Sequence, residues 1–231
     1  MKFVMGTLRL GIAEYTILDA LAMAFTGDKS NRKILENAYN VSSDLGIVSK
    51  VIANKGIEAV KEIKISLYKP VRPMLAERVR TAQEALERVG GIAAAAEYKL
   101  DGERVQIHKG KGKEKARVEL FSRRLEKITH HYPDIVKEMT KSLRVNNAIV
   151  EGEVVAINPQ TSEFLPFQEL MRRRRNHGIQ EAMKDYPVMI YVFDILYFDG
   201  VGIRRTAFFL KKSIHGTGSN IPETREHGRR K

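Results

Sequence analysis

The stretch YKPVRPML, residues 68–75, constrains this chain more than any other. Pro70 and Pro73 lack a backbone N–H and clash with a preceding helical turn, so no helix runs through them and a boundary falls near residue 68. Before it, apolar residues recur at helical spacing. Ile17, Leu18, Leu21 and Phe25 predict an inward helical stripe that ends at Gly27. Ile34, Leu35, Ala38 and Tyr39 predict a second helix behind a Ser30 or Asn31 cap. Leu45, Val48 and Ile52 predict a third, ending near Gly56, and a short fourth is expected over 57–63. Residues 1–68 therefore read as a small all-α unit.

Beyond the prolines the period changes. Thr81 and Glu84 form a capping box for a helix running to Val89, which Gly90 and Gly91 end. Strand-like runs occupy 92–109, 116–122, 147–157 and 187–198, and a helix begins at Pro133 with Ile135, Val136, Met139 and Leu143 turned inward. Strands joined by short turns and interrupted by single helices predict an α+β domain with largely antiparallel sheet over 69–200. No internal repeat is present.

Composition narrows the function. A formal charge of +12 over 231 residues favours a polyanionic partner. About half of that excess lies in 201–231, where eight Lys or Arg face Glu223 and Glu226, so that segment reads as a basic tail. The absence of cysteine excludes disulfides, Cys-ligated zinc and thiol catalysis. No signal peptide and no apolar run of membrane-spanning length is found, so a cytoplasmic protein without membrane contact is expected.

Three runs carry charged residues where a strand core would exclude them. In EYKLDGER (97–104), a strand would place Glu97, Lys99 and Asp101 on one face, with Asp101-Gly102 as a hairpin turn. That pattern suits a solvated ladder of charges or a pocket holding the lysine. AIVEGEVVAI (148–157) sets Glu151 and Glu153 on one face of an apolar strand. VMIYVFDILYFDG (188–200) reads as a strand buried on both sides, yet holds Asp194. Acids in such runs need a cation, a donor or a ligand, so they are either structural ion pairs or the walls of a polar pocket. Arg123 and Arg124 follow another strand and suit a solvated turn or the same pocket. His130 and His131 have no ligand spacing and read as structural or solvent-facing.

Together these motifs resemble the covalent nucleotidyltransferases, and most closely the ATP-dependent DNA ligases of archaeal and eukaryotic type. Lys99-Leu100-Asp101-Gly102-Glu103-Arg104 is similar to their KxDGxR nucleophile motif, with Glu97 at the preceding acidic position. Phe121-Ser122-Arg123-Arg124, Glu151-Gly152-Glu153 and Phe193-Asp194-Ile195-Leu196-Tyr197 resemble the next motifs in the family's order, and PVRPMLAE (70–77) and PFQELMRRRR (166–175) resemble further ligase segments. The motif match ends near Gly200.

The resemblance implies a multidomain protein. Residues 1–68 would be part of a helical DNA-binding domain, and 69–200 part of an ATP-grasp-like nucleotidyltransferase (adenylation) domain, with no OB-fold in the chain. It implies Lys99 as the nucleophile that takes AMP from ATP. Glu97, Arg104, Arg123, Glu153 and Phe193 would be nucleotide-binding, with Glu153 also on the metal, Mg²⁺ or Mn²⁺. Phe193 stacked on the base competes with Phe193 as ordinary core. Arg172, Arg173, Arg174 and Arg175 would contact nucleic acid or form a solvated helix end.

The implied partner is nicked double-stranded DNA, in replication, repair or recombination. A monomer, nucleoid-associated in a prokaryote and with a sliding-clamp partner, is implied as well. A lysine amine attacks only when unprotonated, and its ordinary pKa near 10.4 makes that form rare, so neighbouring arginines or bound metal must favour it.

The expected EG-hydrophobic-x-x-K strand and lysine-rich motif are not found. The chain is therefore expected to be a truncated ligase whose tail is out of frame or degenerated, with weak or absent self-adenylylation. Two alternatives share these motifs: an RNA ligase or mRNA capping-type guanylyltransferase, and a non-catalytic nucleic-acid-binding remnant.

Overall fold

The computed structural model describes residues 13–74, 77–90, 96–112, 116–175 and 178–202. Helices α1 (Glu14–Thr26), α2 (Arg32–Ser42) and α3 (Leu45–Lys61) come first, then α4 (Ala82–Arg88). Strands β1 (Glu103–Lys111) and β2 (Ala116–Ser122) precede α5 (Pro133–Ser142), and β3 (Ala148–Ala156) precedes α6 (Phe167–Arg175) and α7 (Ile179–Asp185). Strands β4 (Val188–Phe198) and β5 (Val201–Gly202) complete one antiparallel sheet in the order β2-β1-β3-β4-β5.

The first three helices bury a core of their own, centred on Leu18, Ala22, Leu35, Tyr39, Val48 and Ile52. Gly27 ends α1 at φ 70°, and Gly56 breaks α3 at φ 75°, as the sequence pattern anticipates. Two expectations change. Neither Ser30 nor Asn31 caps α2 by its side chain; Asp28 accepts from the Ser30 N–H and begins the turn one step earlier. Ile17 and Phe25 are exposed rather than inward, at 38% and 49%. Apolar residues occur on several sides of α1, so periodicity alone does not select the stripe that α2 and α3 cover.

Downstream, Thr81 accepts from the Glu84 N–H, and Pro133 opens α5. Ile135 and Met139 of α5 pack with Val105, Ile107, Leu120 and Val150 on one face of the sheet. The long apolar run of β4 is less covered than expected. Only Ile195 and Leu196 are buried in it, while Met189 and Phe193 stay 40% and 38% exposed.

The proline stretch is a docked strap rather than a loose linker. Val71 packs on Ile149 and Leu196 across the other face of the sheet. On the helical side, the Arg72 N–H donates to Asn40 O (3.0 Å), Ser43 Oγ donates to Pro70 O (2.6 Å), and the Arg72 guanidinium meets Glu14 (3.1 Å) and the Tyr39 hydroxyl.

Gln106 of β1 supplies the strap's polar seat. Its Oε1 accepts from the Val71 N–H (2.7 Å) and its Nε2 donates to Val71 O (3.1 Å), so one side-chain amide stands in for a neighbouring peptide group. The Tyr68 N–H donates to His108 Nδ1 (2.8 Å), which leaves the proton on Nε2 to bond Gln106 Oε1 (2.8 Å).

Burial pushes the His108 imidazole pKa down to about 4. The unfolded chain takes up a proton there near 6.5, and the folded chain does not until about 4. The fold thus loses stability as pH falls through that window, by about 3 kcal/mol in all. Urea unfolding from pH 6.5 to 5 should show this decline in the wild type and a flatter profile in His108→Asn. Equal slopes in both would contradict the assignment.

Candidate active site

Alternation along the strands separates two faces. The face opposite α5 carries Arg104, Gln106 and His108 from β1 and Glu151 and Glu153 from β3. The register pairs Arg104 with Glu153 and Gln106 with Glu151. Gln106 Nε2 donates to Glu151 Oε1 (3.1 Å), and Arg104 Nη2 donates to Glu151 Oε2 (2.5 Å). Glu151 is 4% exposed, and both its oxygens are satisfied.

Strand β4 slips register between Glu151 and Gly152, whose partners are Asp194 and Val192, and so leaves Phe193 unpaired. A bulge of this kind re-aims a side chain. The Phe193 ring lies 5.5 Å from the Arg104 guanidinium, in cation–π range. The structure thus sets Phe193 on the polar face, half-exposed, rather than in the core.

Lys99 does not lie on a strand. Residues 96–100 form no regular element, 101–102 are a bend, and β1 starts at Glu103. The strand expected from 92 is therefore confined to 103–111 among the described residues, and Asp101-Gly102 is not its hairpin turn. Asp101 Oδ2 instead accepts from the Phe167 N–H (3.1 Å), which places a carboxylate at the N-terminus of α6. Gly102 sits tight on β3: a Cβ there would lie 2.3 Å from Val154 O. This close approach requires glycine.

Burial holds the Glu153 carboxyl above the ordinary range, against the opposing effects of Lys99, the Gly102 N–H and Arg104, while Asp101 pushes it up as well. Lys99 and Glu97 are exposed. Arg123, also exposed, lines a narrow cleft with Arg104, Gln106, Glu151 and Val71. The face therefore gathers two arginines, a half-exposed aromatic ring and two acids, with Lys99 on the exposed segment that leads into β1.

The remaining expected residues separate. Arg172 is exposed and pairs with Glu169 (3.0 Å). Arg173 is 2% exposed, bonds Asp134 (2.5 Å) and Tyr186 O (3.1 Å), and stacks over Tyr132, so it is built into the core rather than offered to a nucleic acid. The side chains of Arg174 and Arg175 lie outside the described residues, as do all expectations for 203–231. Gln106 and His108 were not singled out from the sequence, although both alternate with apolar Val105 and Ile107 on a strand.

No three His, Asp or Glu side chains converge as a metal cage among the described residues. Glu153 is a partly buried carboxylate paired with Arg104 and packed beside Gly102, where the Lys99 segment joins β1. One carboxylate completed by substrate phosphates suits Mg²⁺, which keeps water and phosphate ligands rather than an all-protein shell.

The sequence profile of the family described as "ATP dependent DNA ligase domain" matches residues 73–214. The match runs past Gly200, where the sequence motifs stop. A DNA ligase of Cenarchaeum symbiosum is 58% identical over 200 residues, covering 87% of this chain and 33% of that protein. One from Nitrosopumilus maritimus is 56% identical, with the same coverage. DNA ligase 2 of Thermofilum pendens is 57% identical, covering 87% and 32%. The chain spans about a third of the length of the curated relatives it matches. The ligase domain of LigD from M. tuberculosis aligns with 52% of this chain and 34% of that one, with a TM-score of 0.41 and 24% identity.

Replacing Glu151 with Ala removes the acceptor that holds Arg104 and Gln106. The variant should lose about 2 kcal/mol in urea unfolding, because a partly buried guanidinium is left without its counter-charge. A loss under about 0.5 kcal/mol would contradict this role.

Proposed function

The chain belongs to the ATP-dependent DNA ligase family, and from that premise we propose that its polar sheet face is the AMP-transfer site of a DNA ligase. The Lys99 amine, its proton lost, attacks the α-phosphorus of ATP. The bond to the bridging oxygen of the β-phosphate breaks, pyrophosphate leaves, and a lysyl-AMP phosphoramidate remains. An oxygen of a 5′-phosphate at a nick then attacks that phosphorus and frees Lys99. The neighbouring 3′-hydroxyl displaces AMP and closes the phosphodiester.

The observation that carries this reading is the placement of Arg104 over Phe193, bonded to Glu151 and paired with Glu153, at the end of the sheet where the Lys99 segment enters β1 through Gly102. Arg104, fixed by Glu151, presents its remaining donors to a phosphate or ribose, and Arg123 adds a second fork across the cleft. Phe193 offers its exposed area to a base, and Glu97 accepts from the adenine amino group. Glu153 holds the ribose or the metal that accompanies the phosphates. A bound Mg²⁺ or Mn²⁺ supplies charge neutralisation at the phosphates. Helices α1–α3 are the part of this chain that grips nicked duplex DNA without reading its sequence.

Incubation with α-labelled ATP and Mg²⁺ should give a slowly formed covalent protein adduct that Lys99→Ala abolishes. An adduct formed with GTP in place of ATP would shift the reading to a guanylyltransferase. No adduct with either nucleotide, or one retained in Lys99→Ala, would refute it.

A further inference from the structure

A cleft of about 420 Å³ opens at the far end of β1, between the β1–β2 hairpin and the C-terminus of α5. Its walls carry Lys109, Lys111, Lys141 and Arg144, with the backbone of Gly110 and Gly112, and no acidic side chain lines it among the described residues. Strand β1 rises about 3.4 Å per residue, so Lys111 lies roughly 27 Å from Glu103, where the Lys99 segment joins the strand. Lys109 and Lys111 also alternate with Gln106 and His108 and so face the α5 side. The cleft is distinct from the nucleotide face.

The C-terminus of a helix carries negative partial charge and repels anions. Here Lys109 Nζ donates to Thr140 O (2.8 Å) in the last turn of α5 and to Leu143 O just past its end, and offsets that charge. Lys111, Lys141 and Arg144 then have no acidic partner among the described residues. Other cations around this sheet do: Arg117 and Lys127 share Glu119, and Arg104 has Glu151. The walls of the cleft hold three uncompensated charges contributed by β1, α5 and the segment after it.

We propose that this cleft is a second contact for duplex DNA, taking the phosphate backbone at a distance from the nick. Among the described residues, no aromatic side chain lines it to stack a base and no acid lines it to take base or ribose donors. A free nucleotide or an unpaired strand would need such groups; a phosphodiester backbone needs only charge. The proposal rests on the reading of duplex DNA as partner.

The test is fluorescence anisotropy of a labelled nicked duplex against KCl concentration, comparing the full chain with a Lys111→Ala, Lys141→Ala, Arg144→Ala triple variant. Each phosphate contact contributes about 0.9 to the slope of log affinity on log salt. The triple variant should lose about 2–3 from that slope and bind about tenfold or more weakly near 0.1 M salt. ATP adduct formation should be unchanged, since none of the three touches the nucleotide face.

Arg144→Ala alone should lower the slope by about 0.9, and serves if the triple variant does not fold. Unchanged slope and affinity, or no duplex binding by the wild type, would overturn the proposal. A wild type without adduct whose duplex binding still depends on these three residues would refute the catalytic reading and leave the cleft standing.

Discussion

The side-chain amide of Gln106 is the contact on which most of this structure depends. It bonds both polar groups of Val71, accepts from His108 and donates to Glu151, all while 5% exposed. An amide with donors and acceptors on opposite ends can serve a backbone and a carboxylate at once; no apolar or singly charged residue of that size can. The strap between the helices and the sheet is seated by it. Glu151, held by the same amide, fixes Arg104, and Arg104 in turn lies over Phe193. A neutral His108 is part of the same arrangement, because its Nδ1 must accept from the Tyr68 N–H.

The sheet divides its tasks by face. Odd-numbered residues of β1 build the core against α5 until Lys109, where the strand outruns the helix and its cations emerge. Even-numbered residues build the polar face, where burial is partial and acids meet cations. The two register shifts of β4 belong to this division. They occur beside Glu151 and Ile149 and present Phe193 and Leu196 to the face that carries the strap and Arg104. The first half of β4 is covered on one side only: Val188, Ile190 and Val192 pack against the core, while Met189 and Phe193 stay exposed.

Much of the fold was legible in the sequence because strong periodicity and strong breakers coincide. Gly27, Gly56, Thr81 and Pro133 act where their chemistry predicts, and β2, β3 and β4 fall within a residue or so of the expected runs. The errors have identifiable causes. Asp101-Gly102 resembles a hairpin turn locally, but the carboxylate is recruited by the α6 N-terminus, a partner 66 positions away. Ile17 and Phe25 are expected as core because apolar residues occur on several sides of α1, and spacing alone does not say which of them α2 and α3 cover. Arg173 was grouped with its neighbours as a basic run, yet helical spacing turns it alone among the described side chains toward Asp134 and Tyr132. The charged members of the site stood out in apolar strands. Gln106 and His108 did not, since neutral polar residues give no such contrast and their role appears only when the strap is laid over them.

The most direct measurement of this account is residue-resolved amide hydrogen exchange in the wild type and in Gln106→Leu. If Gln106 seats the strap, the amides of Tyr68 and Val71 are protected in the wild type. Both lose most of that protection in the variant, while amides of the β1–β2 ladder such as Leu120 keep theirs. Equal protection of Tyr68 and Val71 in the two proteins would contradict the claim that this one side chain joins the strap to the site.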